Sequence, residues 1–210
     1  MIQELRETIE AVNDTFGRDA PYRNAIPRDV LAREAPVVFD IFNERVVRLI
    51  EGYFRCPFMI YDAIWYRNFH VPEDVLMQNE VYSDHWHCDS TPSSELALLM
   101  VLSDVGSEDG PTMALDRHTT RRILKNGTKS RYDYGATKEF FKDTEPVRIT
   151  GPAGTALVMT TTHCLHRASV PSAGHQRDLL AFRLFPTTGR TCTTELRKTR
   201  IYRFTHPKKA

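Results

Sequence analysis

The apolar residues at the start of the chain recur at three- and four-residue steps, with glutamates between them. The members of this set are Ile2, Leu5, Ile9, Val12 and Phe16. A period close to 3.6 residues puts such side chains on one face of an α-helix. The pattern therefore predicts an amphipathic helix over residues 2–16, followed by a loop that runs through residues 19–21 and 26–29.

A second helical period, with a broader apolar side, runs from residue 36 to residue 54. Its apolar members are Val38, Ile41, Phe42, Val46, Leu49, Ile50 and Tyr53. Charged residues such as Asp40 and Arg48 occupy the other side. This segment predicts the longest helix of the chain, packed on a sheet.

From Met59 onward the pattern changes to short apolar or alternating runs that are rich in β-branched and aromatic residues. Such runs, bounded by Gly, Pro, Asp and Ser, are typical of strands. Beyond the strand that begins at Met59, strands are predicted over residues 95–102, 112–115, 146–150, 155–160, 165–170, 178–185 and 199–204. Short helices are predicted over residues 118–125 and 137–142, with a polar loop at 127–135 between them.

Many short strands after a helical start indicate a mainly β protein with flanking helices. We expect a two-sheet sandwich or barrel, with the N-terminal helices buttressing one sheet. A chain of 210 residues is long enough for one well-buried domain. We therefore expect a single domain over residues 1–210, with a helical part at 1–56, a β core at 57–205 and a helical insert at about 117–145.

Composition narrows the class of partner and the compartment. The formal net charge is +1 and 26% of the residues are charged, so nothing indicates a nucleic-acid or membrane partner. The four cysteines are dispersed and form no C-x-x-C pair, which fits a reducing cytosol. No apolar run approaches the ~20 residues that a bilayer requires, and no leader segment is recognisable, so we expect a cytoplasmic protein.

The stretch Y-S-D-H-W-H-C-D-S, residues 82–90, carries the strongest chemical signal. It places His85, His87 and Asp89 at alternate positions, which share one face of an extended strand. Two imidazoles and a carboxylate on one face indicate a metal site. A distant histidine would complete a two-histidine, one-carboxylate set, which suits non-haem Fe(II). The candidate is His166 in H-C-L-H-R-A-S-V-P, and His163 in the same motif is the alternative.

The region from residue 82 to residue 186 resembles the phytanoyl-CoA dioxygenase-like branch of the Fe(II)/2-oxoglutarate-dependent oxygenases. The matching motifs are W-H-C-D at 86–89, L-S-D-V at 102–105, E-D-G-P at 108–111 and L-H-R-A-S at 165–169. Arg177 follows His166 by eleven positions, as in the family pattern. Where the family usually reads P-G-S-H, this chain has Leu115-Asp116-Arg117-His118, which leaves the shape of the insert open.

The resemblance implies a double-stranded β-helix, the cupin-like jelly roll, that holds iron between its sheets. It implies that His87, Asp89 and His166 are the catalytic iron ligands and that Arg177 pairs with the distal carboxylate of 2-oxoglutarate. The implied reaction uses O2 to oxidise an unactivated carbon of a small molecule and releases succinate and CO2. Because Asp89 stands where related halogenases have Gly or Ala, it implies hydroxylation or desaturation rather than halogenation.

Other residues near these motifs are weaker candidates. Tyr66 and Asn68, on the strand before the metal motif, are candidates to contact the cosubstrate or substrate, and Ser169 is similar. Arg183 is the rival of Arg177 as the carboxylate anchor. Next to the ligands in sequence, Cys88 and Cys164 should project to the opposite face as small core residues.

Two other functional classes stay open on the sequence alone. A cupin-type metalloenzyme would use His85 and His87 with His163 or His166 and would need no 2-oxoglutarate, although the nearest following glutamate is Glu95. A non-catalytic jelly-roll module would use the same cavity for binding only. The C-terminal segment is basic, so the substrate is a candidate anion, although a solvated sheet edge explains the same charges: Arg190, Arg197, Lys198, Arg200, Arg203, Lys208 and Lys209. Substrate identity and oligomeric state are not predicted.

Overall fold

The N-terminal period of apolar residues forms the helix that it predicts. In the computed structural model, which describes residues 2–90, 94–125, 131–132 and 144–188, helix α1 spans Ile2–Phe16. Its apolar stripe is buried at Leu5, Ile9 and Val12. The stripe packs in the same hydrophobic core as the sheet residues Trp65 and Phe182, so helix and sheet share one interior.

The loop predicted after α1 is wrong, because this segment extends a sheet. Strands β1 (Arg18–Ala20) and β2 (Arg23–Ile26) form an antiparallel hairpin, and helix α2 (Arg28–Glu34) follows. Tyr22 adopts a left-handed φ of 69° at the turn, which reverses the chain within two residues. Strand β2 pairs with a longer strand further along the chain, so tertiary pairing rather than local propensity makes it a strand.

The single helix predicted over residues 36–54 is also wrong, because the segment divides in two. A 3-10 helix covers Pro36–Ile41, and helix α3 covers Glu44–Phe54. Between them, the Asn43 side chain accepts hydrogen bonds from the backbone N–H groups of Arg45 (3.1 Å) and Val46 (3.2 Å). These bonds satisfy donors that are free only at the start of a helix, so Asn43 caps a new helix.

The longer predicted strands are confirmed and form the larger of two antiparallel sheets. These are β3 (Phe58–Phe69), β5 (Leu96–Val101), β9 (Ala156–Met159) and β11 (Gln176–Pro186). Together with the hairpin they give a six-stranded sheet over the described residues, in the order β1-β2-β3-β11-β5-β9. The two longest strands, β3 and β11, lie side by side in its middle.

The smaller sheet is built from strands two residues long, shorter than the predicted runs. Its members are β4 (Trp86–His87), β6 (Met113–Ala114), β7 (Arg131–Tyr132), β8 (Val147–Arg148) and β10 (His166–Arg167). Over the described residues their order is β7-β4-β10-β6-β8. Strand β7 lies where a loop was predicted, because it pairs with β4.

The remaining helices lie in the connections between strands. Helix α4 covers Glu73–Gln78, and α5 covers Arg117–Leu124, which confirms the first helix of the predicted insert. The predicted helix at 137–142, the strand at 199–204 and the basic C-terminal segment lie outside the described residues. Across the part of the chain that the structure describes, every helix is too short or too polar to cross a bilayer.

The two faces of the larger sheet have different roles. On one face, Trp65 and Phe182 pack against the helices, and the rings of Phe42 and Phe182 meet edge to face at 5.0 Å. The other face, which carries Tyr66 and Asn68, lines a cavity towards the smaller sheet. Two antiparallel sheets flanked by helices confirm the predicted mainly β fold, a jelly roll.

An ion network ties α1 to the helix-facing side of the sheet. The guanidinium of Arg67 lies 2.7 Å from Asp178 and 2.7 Å from Glu10, so one cation holds a carboxylate on β11 and another on α1. The hydrogen bond from Arg67 lowers the pKa of Glu10 despite its partial burial. The network fixes the helix on the sheet at the edge of the core.

Candidate active site

Three side chains that are remote in sequence meet between the two sheets. His87 ends β4 and His166 begins β10, and the two residues are direct partners in the antiparallel pairing of these strands. Asp89 Oδ1 lies 3.5 Å from His87 Nε2 and 3.8 Å from His166 Nε2. One ligand atom of each residue lies within 4.8 Å of the others, which is the arrangement that could hold a metal ion.

The alternating motif predicts that Asp89 shares a continuous strand with His87. The structure differs, because Asp89 lies outside that strand. Strand β4 stops at His87, and Asp89 follows it in an irregular segment. Its backbone N–H donates to the carbonyl of Thr161 at 3.1 Å, which turns the carboxylate towards the two imidazoles. The side chain therefore reaches the shared site through a loop contact rather than through strand alternation.

The two histidines are oriented by the same local contact. His87 Nδ1 lies 2.8 Å from the carbonyl oxygen of His85, and His166 Nδ1 lies 3.0 Å from that of Cys164. A carbonyl oxygen only accepts, so each Nδ1 carries a proton, and Nε2 is the ring nitrogen that faces the site. Burial lowers the pKa of His166 to about 4, which keeps it neutral at physiological pH. Neutral Nε2 donors with a fixed tautomer are the state that binds a transition metal.

Asp89 is ionised, and Arg183 contacts its carboxylate on the side away from the histidines. Its burial pushes the pKa of the carboxyl upward, but His87, His166 and Arg183 together outweigh burial and hold that pKa below its usual range. Arg183 Nη2 lies 3.3 Å from the second oxygen of Asp89, Oδ2. The same guanidinium lies 2.7 Å from Glu95, which is 0% exposed. Oδ1 is thus left facing the histidines.

Arg177 lies on the cavity wall in a very different setting. It is 1% exposed, and its Nη1 donates to the carbonyl of Gly110. Among the described residues its Nε has no hydrogen-bond partner, and no carboxylate lies within ion-pairing distance of the guanidinium. Burial lowers the pKa of Arg177 to about 10, so it stays a cation at neutral pH. A buried cation without an anion is costly unless a ligand supplies one.

Gly110, from the E-D-G-P motif, contacts Arg177 from a position where the backbone requires glycine. It has a φ of +68°, and an added Cβ would lie 2.6 Å from the carbonyl oxygen of Ser169 and 2.6 Å from the backbone nitrogen of Pro171. Only glycine fits between these backbone atoms. The close packing places the Gly110 carbonyl on Arg177.

Of the weaker candidates, the structure brings two to the cavity and leaves one behind it. Asn68 is the direct register partner of Arg177, and among the described residues its buried Oδ1 has no hydrogen-bond partner. Tyr66 lines the same cavity, two residues further along β3. Ser169 does not line it, and its buried hydroxyl lies behind the wall beside Pro111, to which its backbone N–H donates at 3.3 Å.

The alternative histidines and the thiol of Cys88 are not part of the triad. His85 Nδ1 lies 3.9 Å from Glu80, so the alternate position in the motif does not bring it to the metal site. His163 lies in the turn before β10 and is not part of the triad. Cys88 packs in the small cluster around Trp86, as predicted, and burial raises the pKa of its thiol to about 11.

Several residues of the cavity were missed from the sequence. The cavity has a volume of about 150 Å³, and its further lining residues include Arg23, Asp62, Tyr82, Thr161 and Arg167. Arg23 was missed because its strand was predicted to be a loop. Tyr82 and its neighbour Ser83 have φ values of 39° and 66°, a conformation that non-glycine residues rarely adopt. The residue types in that stretch do not predict this left-handed conformation.

No protein-family model matches this chain, and no curated protein sequence matches it. Several solved structures are similar to this chain. HygX from Streptomyces hygroscopicus with nickel and 2-oxoglutarate bound is 13% identical, with a TM-score of 0.54 over 89% of this chain and 80% of HygX. A 2OG-Fe(II) oxygenase family oxidoreductase from Burkholderia pseudomallei is 14% identical, with a TM-score of 0.55 over 89% of this chain and 80% of that one.

A third similar structure is SnoK, a non-haem α-ketoglutarate-dependent carbocyclase from nogalamycin biosynthesis. It is 11% identical, with a TM-score of 0.61 over 88% of this chain and 74% of SnoK. At these identities the likeness shows the fold: the chain has the jelly roll that these 2-oxoglutarate oxygenases share.

Proposed function

We propose that this protein is an Fe(II)- and 2-oxoglutarate-dependent dioxygenase that hydroxylates, or otherwise oxidises, an unactivated carbon of a small molecule. The observation that carries the proposal is the pairing of two features in one cavity. A triad of two histidines and Asp89 presents metal-ligand atoms, and Arg177 presents a buried guanidinium that pairs with no carboxylate in the described part of the chain. The buried guanidinium is unfavourable without an anion, and the triad has no role without a metal. Together the two features match a metal ion and a dicarboxylate.

The residues present fit both groups. Iron would be held by His87, Asp89 and His166, a set that leaves coordination positions open for other ligands. The distal carboxylate of 2-oxoglutarate would meet Arg177, whose planar fork matches a carboxylate, and Asn68 and Tyr66 flank that end of the cavity. When bound with O2, iron and 2-oxoglutarate supply the oxidising chemistry and release succinate and CO2.

The chain's own part is placement and exclusion of water. The carbonyls of residues 85 and 164 hold both imidazoles in one tautomer, and Arg183 holds Asp89 so that one oxygen faces the site. Apolar side chains such as Ile64 and Leu99 form part of the cavity wall. Because Asp89 occupies the position of the carboxylate ligand, we propose hydroxylation or desaturation and not halogenation.

The same geometry bears on the cupin-type alternative. That reading needs His85 beside His87, whereas the ring of His85 is directed to Glu80. Its nearest glutamate, Glu95, is engaged by Arg183. We therefore propose a 2-oxoglutarate oxygenase rather than a cupin-type enzyme, and within the oxygenases we propose the phytanoyl-CoA dioxygenase-like branch, supported by the motifs W-H-C-D, E-D-G-P and L-H-R-A-S.

We propose that residues 1–210 act as one oxygenase domain, since α1 and the larger sheet share a core. We propose a cytosolic location, supported by the free thiols of Cys56, Cys88 and Cys164. We also propose an anionic substrate. The charged side chains that line the cavity, among the described residues, are four arginines and two aspartates, and one of those aspartates is the metal ligand Asp89.

The experiment that tests the function is optical. Anaerobic protein given Fe(II) and 2-oxoglutarate should show a weak visible charge-transfer band, and adding O2 should yield succinate. His166→Ala should abolish both signals, because it removes a ligand atom from the triad. The matched control His163→Ala, three residues away, should keep both. A protein that binds Fe(II) without the band, or a band that survives His166→Ala and vanishes in His163→Ala, would contradict the proposal.

A further inference from the structure

Four arginines of the larger sheet fall into two groups by their charge partners. Arg67 and Arg183 each have two carboxylates within ion-pairing distance. Arg23 and Arg177 have none among the described residues, within 4.0 Å. The proposed function gives Arg177 a partner in 2-oxoglutarate. Arg23 lines the same cavity, and no carboxylate of the described residues pairs with it.

The register of the sheet places Arg23 on the same face as the cosubstrate anchor. Arg23 on β2 pairs with Asn68 on β3, and Asn68 pairs in turn with Arg177 on β11. Directly paired residues project from the same face of a sheet, and neighbouring strands lie roughly 4.8 Å apart. The backbones of Arg23 and Arg177 are therefore about 10 Å apart. This separation leaves room for Asn68 and for two separate anions.

The guanidinium of Arg23 is already held in place. Its Cζ lies 5.4 Å from the centroid of the Tyr66 ring, a cation-π contact on the cavity wall. The Tyr66 position lies two residues along β3 from Asn68, in the direction of Asp62 and Arg183. A fixed fork of donors lowers the entropy cost of binding a carboxylate or phosphate.

We infer that Arg23 binds a carboxylate or phosphate group of the oxidised substrate, with Tyr66 as the flat surface beside it. The inference rests on the proposed function, because it takes Arg177 to be occupied by 2-oxoglutarate. The other cavity arginines are placed differently. Arg183 holds Asp89 and Glu95, and Arg167 lies on β10 of the smaller sheet, where it stacks over Trp86 at 5.8 Å. A neutral substrate would shut water out while leaving Arg23 unpaired, which is unfavourable.

The test uses benzoate as the anionic probe and benzamide as its neutral match. The full chain is loaded with Zn(II), which is diamagnetic, and with saturating 2-oxoglutarate, and binding is followed by saturation-transfer NMR. Wild type should bind benzoate and not benzamide. Arg23→Gln should weaken benzoate binding at least tenfold, and Arg23→Lys, which keeps the charge and loses the fork, should fall between.

The matched control is Arg33→Gln. Arg33 makes the same kind of contact over an aromatic ring, with its Cζ 5.7 Å from the centroid of Phe16, but it does not line the cavity. It should leave benzoate binding unchanged. Adding inorganic phosphate then identifies the anion: displacement of benzoate assigns the site to phosphates as well as carboxylates, and its absence assigns it to carboxylates alone.

Several results would overturn the inference. These are a wild type that fails to bind benzoate, equal binding of benzamide, or unchanged benzoate binding in both Arg23 variants. Loss of 2-oxoglutarate affinity in Arg23→Gln would also overturn it, since Arg23 would then serve the cosubstrate. Failure of the proposed function looks different, because wild type loaded with Zn(II) would then not bind 2-oxoglutarate at all, whatever benzoate does.

Discussion

Arg177 and Arg183 lie on the same face of β11, six residues apart, in opposite circumstances. The side chain of Arg183 is 35% exposed and touches two carboxylates. Arg177 is 1% exposed and touches none among the described residues. Folding alone would favour the reverse, because the deeper charge loses more hydration and needs its partner more.

Under the proposed function, the difference separates a structural cation, Arg183, from a ligand-binding cation, Arg177. Arg183 completes a network that the fold supplies in full, so its energy is released when the chain folds. The unfavourable desolvation free energy of Arg177 is offset by packing elsewhere in the core. An anion that binds Arg177 would compensate for it directly. Departures from good burial of this kind are expected at functional sites.

The largest expected effect comes from Arg177→Met. It should weaken 2-oxoglutarate binding by roughly 100-fold, because a hydrogen bond to a charged group contributes about 1.5–3 kcal/mol. The free energy of unfolding of the protein without ligands should change by less than about 1 kcal/mol, since loss of the bond to Gly110 is offset by removal of an unpaired buried charge. Titration of the charge-transfer band and urea unfolding measure the two quantities. Unchanged affinity for 2-oxoglutarate would end the assignment of Arg177.

Arg183→Met should show the opposite profile. It leaves the fully buried Glu95 without its cation, and we expect a loss of about 2–3 kcal/mol in the free energy of unfolding. This is less than for a fully buried pair, because Arg183 is partly solvated. Affinity for 2-oxoglutarate should fall less than in Arg177→Met, because Arg183 acts on the site only through its contact with Asp89. Urea unfolding measures the loss, and adding Glu95→Gln should restore about half of it.

If Arg183→Met weakens 2-oxoglutarate binding more than Arg177→Met does, the two arginines have exchanged roles and the assignment of the anchor is wrong. Arg183→Lys serves as the control, because it keeps a cation beside Glu95 while losing the planar fork.

The smallest effect concerns Arg67, a third arginine of the sheet, and Glu10, which is the exposed one of its two carboxylate partners, since Asp178 is buried. Glu10, with a side chain 49% exposed, should lose only about 0.5 kcal/mol of stability in Glu10→Gln, because solvent screens the pair. The pKa of Glu10 is lowered in the fold, so its contribution is present above the ordinary value of 4.5 and disappears as the pH falls through the folded value. Unfolding of both proteins at neutral and acid pH checks this, and a difference that persists in acid would exclude the ion pair as its source.

The sequence predicts best those elements whose apolar pattern is long. Strands β3 and β11, with 12 and 11 residues, are rich in apolar and aromatic residues, so their existence is readable although their burial does not alternate strictly. The two-residue strands of the smaller sheet leave no such pattern. Helix 36–54 was predicted as one piece because its apolar period continues across Asn43, and the cap there outweighs the period.

The candidate site divides in the same way. His87, Asp89, His166 and Arg177 were predictable because motif order links them to a family pattern, although strand alternation was the wrong reason for Asp89. The partner of Arg183 was not predictable, since Glu95 is 88 residues away and meets it only through the pairing of β5 with β11. Arg23 was hidden for the same reason, because its strand exists only against β3.

The direct pairing of His87 with His166 has a mechanical consequence. An ion held between them would cross-link β4 and β10, neighbours with only two residues each. Strands this short hold together weakly by their own ladder, so amide hydrogen exchange in the smaller sheet should slow markedly when metal binds, while β3 and β11 exchange slowly with or without it. The catalytic ion would then also stabilise the smaller sheet, because it would link two of its short strands.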